Sequence, residues 1–70
     1  MTVYLFTYEY NYEMVPHHLI FAHKEDAEKC LSLHTEGQEI LCDSVKEILY
    51  EHHIETTKGI YHVSEEGVIN

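Results

Sequence analysis

The stretch Ile40-Leu41-Cys42-Asp43-Ser44-Val45-Lys46-Glu47-Ile48-Leu49-Tyr50 decides the fold, because it reads in two ways. Ser44-Val45-Lys46-Glu47 has the spacing of a capping box, in which a Ser hydroxyl and a Glu carboxylate satisfy each other's backbone N–H groups at the start of a helix. Val45, Ile48, Leu49 and His52 then fall at helical intervals. On this reading Ser44 to His52 is a helix, preceded by a short extended step, Ile40-Leu41-Cys42. The competing reading is a strand from Ile40 to Tyr50, which β-branched Val45 and Ile48 allow. The helix is preferred.

Toward the N-terminus the pattern is simpler. From Val3 to Tyr12 the residues alternate, with Tyr4, Phe6, Tyr8, Tyr10 and Tyr12 on one side and Val3, Leu5, Thr7, Glu9 and Asn11 on the other, as a strand requires. Pro16 closes a loop, and His18-Leu19-Ile20-Phe21-Ala22 reads as the antiparallel partner strand. Lys24 to His34 places Ala27, Cys30, Leu31 and His34 on one helical stripe, with Glu25 and Asp26 where the helix dipole favours them and Gly37 as the stop. His23 occupies the N-cap, where Ser, Asp or Thr is the usual residue. Toward the C-terminus, Ile54 to Thr57 and Ile60 to Ser64 flank Lys58-Gly59 as a second hairpin. The expected architecture is α+β: one domain over residues 1–70, with an N-terminal β-hairpin, two short helices packed on one face of an antiparallel sheet, and a C-terminal β-hairpin.

Thirteen carboxylates stand against four lysines and no arginine, a formal net charge of −9 in 70 residues. Lys24, Lys29, Lys46 and Lys58 are scattered, so the chain lacks the clustered cations that phosphate backbones and anionic membranes demand. Neither nucleic acid nor membrane is expected as a direct partner. Hydrophobic residues make up 44%, with six Tyr and two Phe, too apolar and aromatic for a disordered acidic tail. Met1 runs straight into Val3 to Tyr8 with no basic leader and no long apolar segment, so a cytoplasmic protein, in the cytosol of a bacterial host, is expected. In that reducing setting Cys30 and Cys42 are expected as free, buried thiols.

Three constellations could carry function. The first is the acidic row Asp43, Glu47, Glu51 and Glu55, which a helix would align along one edge at about 6 Å per step. With Glu36 and Glu39 nearby it could imitate phosphates and occupy the basic groove of a nucleic-acid-binding protein; its bland counterpart is a solvated face. The second is the aromatic ladder on the first strand. Tyr4, Phe6 and Tyr8 suit a core, whereas Tyr10 and Tyr12, beside Glu9 and Glu13, suit a partner or dimer contact. The third is histidine: seven residues whose protonation would take the formal charge from −9 to −2. Cys30 and His34 share a metal-compatible spacing but also complete the core stripe, and no metal or other cofactor is expected. No nucleophile elbow or thiol-activating setting surrounds the Ser and Cys residues, so no enzyme is expected.

A small, strongly acidic, arginine-free chain of this kind resembles the proteins that bacteriophages and mobile elements encode to disarm host machinery, several classes of which act as DNA mimics. The likeness covers size and charge without a shared motif, so no residue role is transferred. His18 to Lys29 also looks like the strand-to-helix passage of many small bacterial and phage proteins, in which a Ser or Thr usually stands where His23 is. The resemblance implies a protein-binding inhibitor that occludes the nucleic-acid-binding surface of a basic host protein by charge mimicry. The alternative is a homodimeric interaction module without enzymatic activity, its core the aromatic ladder and its charge serving solubility.

Overall fold

The deciding stretch is a strand followed by a turn. In the structure, a computed structural model that describes residues 1–13 and 15–68, Ile40–Lys46 is extended, and residues 47–50 turn the chain back into the strand Glu51–Thr56. The expected helix from Ser44 to His52 is not formed, and the reason is pairing. Ser44 lies opposite His53 and Val45 opposite His52, and the strand carrying both histidines is itself hydrogen-bonded to the C-terminal strand. A helix here would leave that strand's backbone groups without partners.

The elements in order are β1 (Thr2–Tyr10), β2 (His17–Phe21), α1 (Lys24–Thr35), β3 (Ile40–Lys46), β4 (Glu51–Thr56) and β5 (Gly59–Gly67). They form one five-stranded sheet of order β2-β1-β5-β4-β3 in which every neighbouring pair is antiparallel. The α+β class therefore stands, with one helix in place of two. Both expected hairpins are present: β1 with β2 in the register Phe6 opposite Leu19, and β4 with β5 around Thr57 and Lys58.

Opposite residues of an antiparallel pair share a face, so the register sorts the sheet into two sides. Tyr4, Phe6, Tyr8 and Tyr10 of β1 share one side with Tyr61 and Val63 of β5 and Ile54 of β4, and α1 packs on it with Ala27 and Leu31. Phe6, Ala27, Leu31, Tyr61 and Val63 are each no more than 1% exposed, and among the described residues the buried apolar ones all belong to this layer. The core is one-sided.

Local chemistry explains the frame. Glu25 and Asp26 stand in the first turn of α1, while His23 at the N-cap makes no side-chain capping bond. Gly37 stops the helix in the left-handed region at φ +78°, where only glycine is free of steric cost. The Gln38 amide donates to the His34 carbonyl (2.7 Å), and the Tyr61 and Thr56 hydroxyls donate to Gln38 Oε1 (3.0 and 2.6 Å), pinning the helix exit onto β4 and β5. Gly59 permits the close approach of β5 to β1, since an added Cβ would strike the Glu9 carbonyl and lie 3.1 Å from the Tyr10 Cα. No helix among the described residues is long and apolar enough to cross a membrane. Cys30 is half-buried on α1 and Cys42 is exposed on β3, both as free thiols; the expected burial of Cys42 fails because β3 is a sheet edge with nothing packed over it.

Candidate binding surface: the uncovered face of the sheet

Among the described residues no element covers the second side of the sheet. Its middle row runs Ser44, His53, His62, Thr7, His18 across all five strands. One flanking row carries Cys42, Glu55, Ile60 and Glu9, and the other carries Lys46, Glu51, Ser64, Leu5 and Ile20. Glu66 lies beyond, opposite Val3. Four carboxylates thus share this face with a single lysine, a formal charge of −4 + 1 = −3 with the histidines neutral. The remaining lysines sit elsewhere: Lys24 over the Tyr50 ring at 4.6 Å, Lys29 on α1, and Lys58 in the β4–β5 turn.

Two of the three histidines of the middle row, His53 and His62, are matched to those carboxylates. His62 Nε2 lies 3.2 Å from Glu51 Oε1 and His53 Nε2 lies 3.0 Å from Glu55 Oε2, with the two rings 6.0 Å apart. The hydrogen bond from His62 holds the Glu51 carboxyl below its ordinary pKa, against a smaller opposing effect of burial. The face is therefore acidic at neutral pH.

At the end of the sheet where β1 turns toward β2, aromatic rings continue outward from the core. Tyr10 meets Tyr61 edge-on and stacks on Tyr12 (5.4 Å, interplanar angle 4°), and Tyr12 is 77% exposed. Burial and the neighbouring Tyr61, Tyr8, Tyr12 and Glu13 push the Tyr10 phenol above its ordinary pKa. Glu13 accepts a hydrogen bond from His17 (2.8 Å), whose ring stacks on Tyr8. Tyr10, Tyr12 and Glu13 come together as a ledge in which Tyr12 is exposed and Tyr10 and Glu13 are half-buried, while Glu9 points to the uncovered face.

The acidic row of the sequence is divided by the sheet. Glu51 and Glu55 share the uncovered face about 13 Å apart, four residues of extended chain, instead of lining a helix at half that spacing. Glu47 lies in the β3–β4 turn, and Asp43 faces the helix side. Glu36 caps the C-terminal end of α1, and the Glu39 carbonyl accepts from the Thr57 amide, so both belong to the end of the sheet near Lys58.

Asp43 belongs to a cluster that the linear sequence hides. His52 places Nε2 2.7 Å from Asp43 Oδ1 and Nδ1 2.8 Å from Glu28 Oε1, and the Tyr50 hydroxyl donates to the same Glu28 carboxylate. A neutral imidazole has one N–H and cannot donate to carboxylates on both nitrogens, whereas the imidazolium can. Burial opposes that charge but is outweighed by the bonds to Glu28 and Asp43, so the His52 pKa lies above its ordinary value. His52 clamps α1, β4 and β3 together. The signal that could have exposed these groups is the two-residue spacing Glu51-His53-Glu55, which separates His52 from its neighbours once the segment is read as a strand.

Among the described residues no group of His, Cys, Asp and Glu comes together to hold a metal ion, and the surface has no concave pocket. Cys30 is held as a thiol, its pKa pushed up by burial. No family model, curated protein or solved structure matches the chain.

Proposed function

We propose that this is a non-catalytic binding domain that sets the uncovered face of its sheet against a basic surface of a partner protein and occludes it. The observation that carries this reading is the composition of the face among the described residues: Glu9, Glu51, Glu55 and Glu66 against Lys46, on a side that none of the described elements covers. The fitting partner is a nucleic-acid-binding protein of the host cytosol, because its binding surface is an extended array of cations that a −3 face complements. A flat face suits a macromolecular surface. The Tyr10–Tyr12 ledge with Glu13 adds aromatic anchors of the kind that supply affinity where rim charges mainly supply on-rate. The carboxylate spacing along β4 rests the mimicry on overall charge, without step-for-step phosphate spacing. Four of the five ladder rings lie on the side of the sheet that α1 covers, which favours the uncovered face over the ladder as the partner contact.

The test is a capture experiment from bacterial lysate comparing the wild-type chain with a variant carrying Gln at positions 9, 51, 55 and 66, followed by titration of the purified complex. A basic nucleic-acid-binding protein should be retained by the wild type, lost by the variant and displaced by duplex DNA. Raising salt from about 0.05 to about 0.5 M, which shortens the Debye length from about 14 to about 4 Å, should weaken the complex strongly. Equal capture by both chains, or a complex indifferent to salt, refutes the reading.

A further inference from the structure

β3 is an edge strand bonded on one side only, to β4, and all seven of its residues are exposed. Helix α1 rests on β1, β5 and β2 and leaves this edge open. The edge is also unusually apolar: Ile40 (46% exposed), Leu41 (64%) and Val45 (46%) lie on it, and the turn that follows adds Ile48 (93%) and Leu49 (69%). Such an edge is a template for another strand, and natural proteins ordinarily blunt it with proline or several charges. Residues 40–49 contain no proline, and their charges, Asp43, Lys46 and Glu47, sum to −1 + 1 − 1 = −1, so this stretch carries little of the chain's net charge of −9. A basic partner is thus not what the edge fits.

We propose that a second copy of this chain fits it, adding its own β3 antiparallel across a twofold axis at Ser44 and extending the sheet from five strands to ten. A twofold axis perpendicular to the sheet must pass through a residue, because opposed side chains share a face. Centring on Asp43 opposes two carboxylates, and centring on Val45 sets Asp43 against Glu47, both unfavourable. Centring on Ser44 opposes hydroxyl to hydroxyl, Asp43 to Val45, Cys42 to Lys46 and Leu41 to Glu47, with no like charges face to face. The same register brings the Ile48 turn of each copy to the Ile40 end of the other. Asp43 is already matched by His52 on its own chain.

Sedimentation equilibrium and disulfide trapping test this. The wild type should dimerise, and more tightly at about 0.5 M than at about 0.05 M salt, because screening relieves repulsion between two −9 chains. Ser44→Lys lowers the net charge yet puts two ammonium groups opposite at the axis, and should weaken the dimer about fivefold. In a chain with Cys30→Ala and Cys42→Ser, Ser44→Cys should form an intermolecular disulfide under mild oxidation, since cross-strand Cα atoms at about 5 Å are within bridging range. Cys42 of the wild type should not, lying four residues, about 13 Å, from its copy in this register. A monomer at every salt concentration, a Ser44→Lys dimer as tight as the wild type, or trapping through Cys42 without trapping through Ser44→Cys overturns the proposal.

Discussion

Replacing His52 with Gln keeps a hydrogen-bonding side chain of similar reach but removes the charge that joins Glu28 to Asp43. The side chains of His52 and Glu28 are 17% and 26% exposed, whereas Asp43 is 53% exposed. A charge-assisted hydrogen bond at a partly buried site contributes about 1.5 kcal/mol and an exposed ion pair about 0.5 kcal/mol, so the substitution should cost about 1 to 2 kcal/mol where His52 is charged. That is a substantial share of the roughly 4 to 10 kcal/mol typical for 70 residues. Because the folded pKa of His52 lies above the ordinary 6.5, its contribution is complete below that value and disappears as pH rises through the folded pKa. Glu51 acts oppositely: its folded pKa lies below the ordinary 4.5, so its contribution is present above that value and lost as pH falls through the folded pKa. Urea unfolding from about pH 5 to about pH 8.5 should show the wild type losing stability across the upper part of the range and converging on His52→Gln, whose profile stays flatter. Parallel profiles for the two chains would refute the clamp.

Phe6→Ala empties a site that is 0% exposed beneath α1 and should cost about 3 to 5 kcal/mol, enough to leave the chain largely unfolded by circular dichroism. Leu49 sits in the left-handed region at φ 55°, where a Cβ costs about 1 to 2 kcal/mol; Leu49→Gly, after the entropic penalty of glycine, should raise stability by about 0.5 to 1 kcal/mol in the same urea assay.

Leu49 also explains why the sequence misled at the deciding stretch. Glu47-Ile48-Leu49-Tyr50 reverses the chain without Gly, Pro, Asn or Asp, so the turn carries no chemical signature. β3 buries no residue, and hydrophobic alternation records burial, so that strand had no period-2 pattern to set against the helical one. Strand β1 was legible for the converse reason, since α1 covers its aromatic side. The helix from Lys24 and both hairpins were legible from local signals. Of the candidate site, Tyr10, Tyr12 and Glu13 fell together as their proximity in sequence implied, whereas the acidic row depended on a helix and dispersed with it. Glu28 and His52 meet across 24 residues through packing that no local pattern encodes.

The central pairing of β1 with β5 sets the order in which the sheet can assemble. Thr2 lies opposite Gly67, and the Val68 amide donates to the Met1 carbonyl. The strand bearing Phe6 therefore acquires its principal neighbour only after about sixty intervening residues have been made and the chain has closed upon itself. Helix α1 and the β1–β2 hairpin can form early, but together they leave the aromatic side of β1 half covered. Because loop closure must precede these non-local contacts, folding should be slower than for a helical domain of equal length. A nascent chain stalled before β5 emerges exposes Phe6 and its neighbouring tyrosines along an unpaired edge, and in that interval this protein is most open to misassociation.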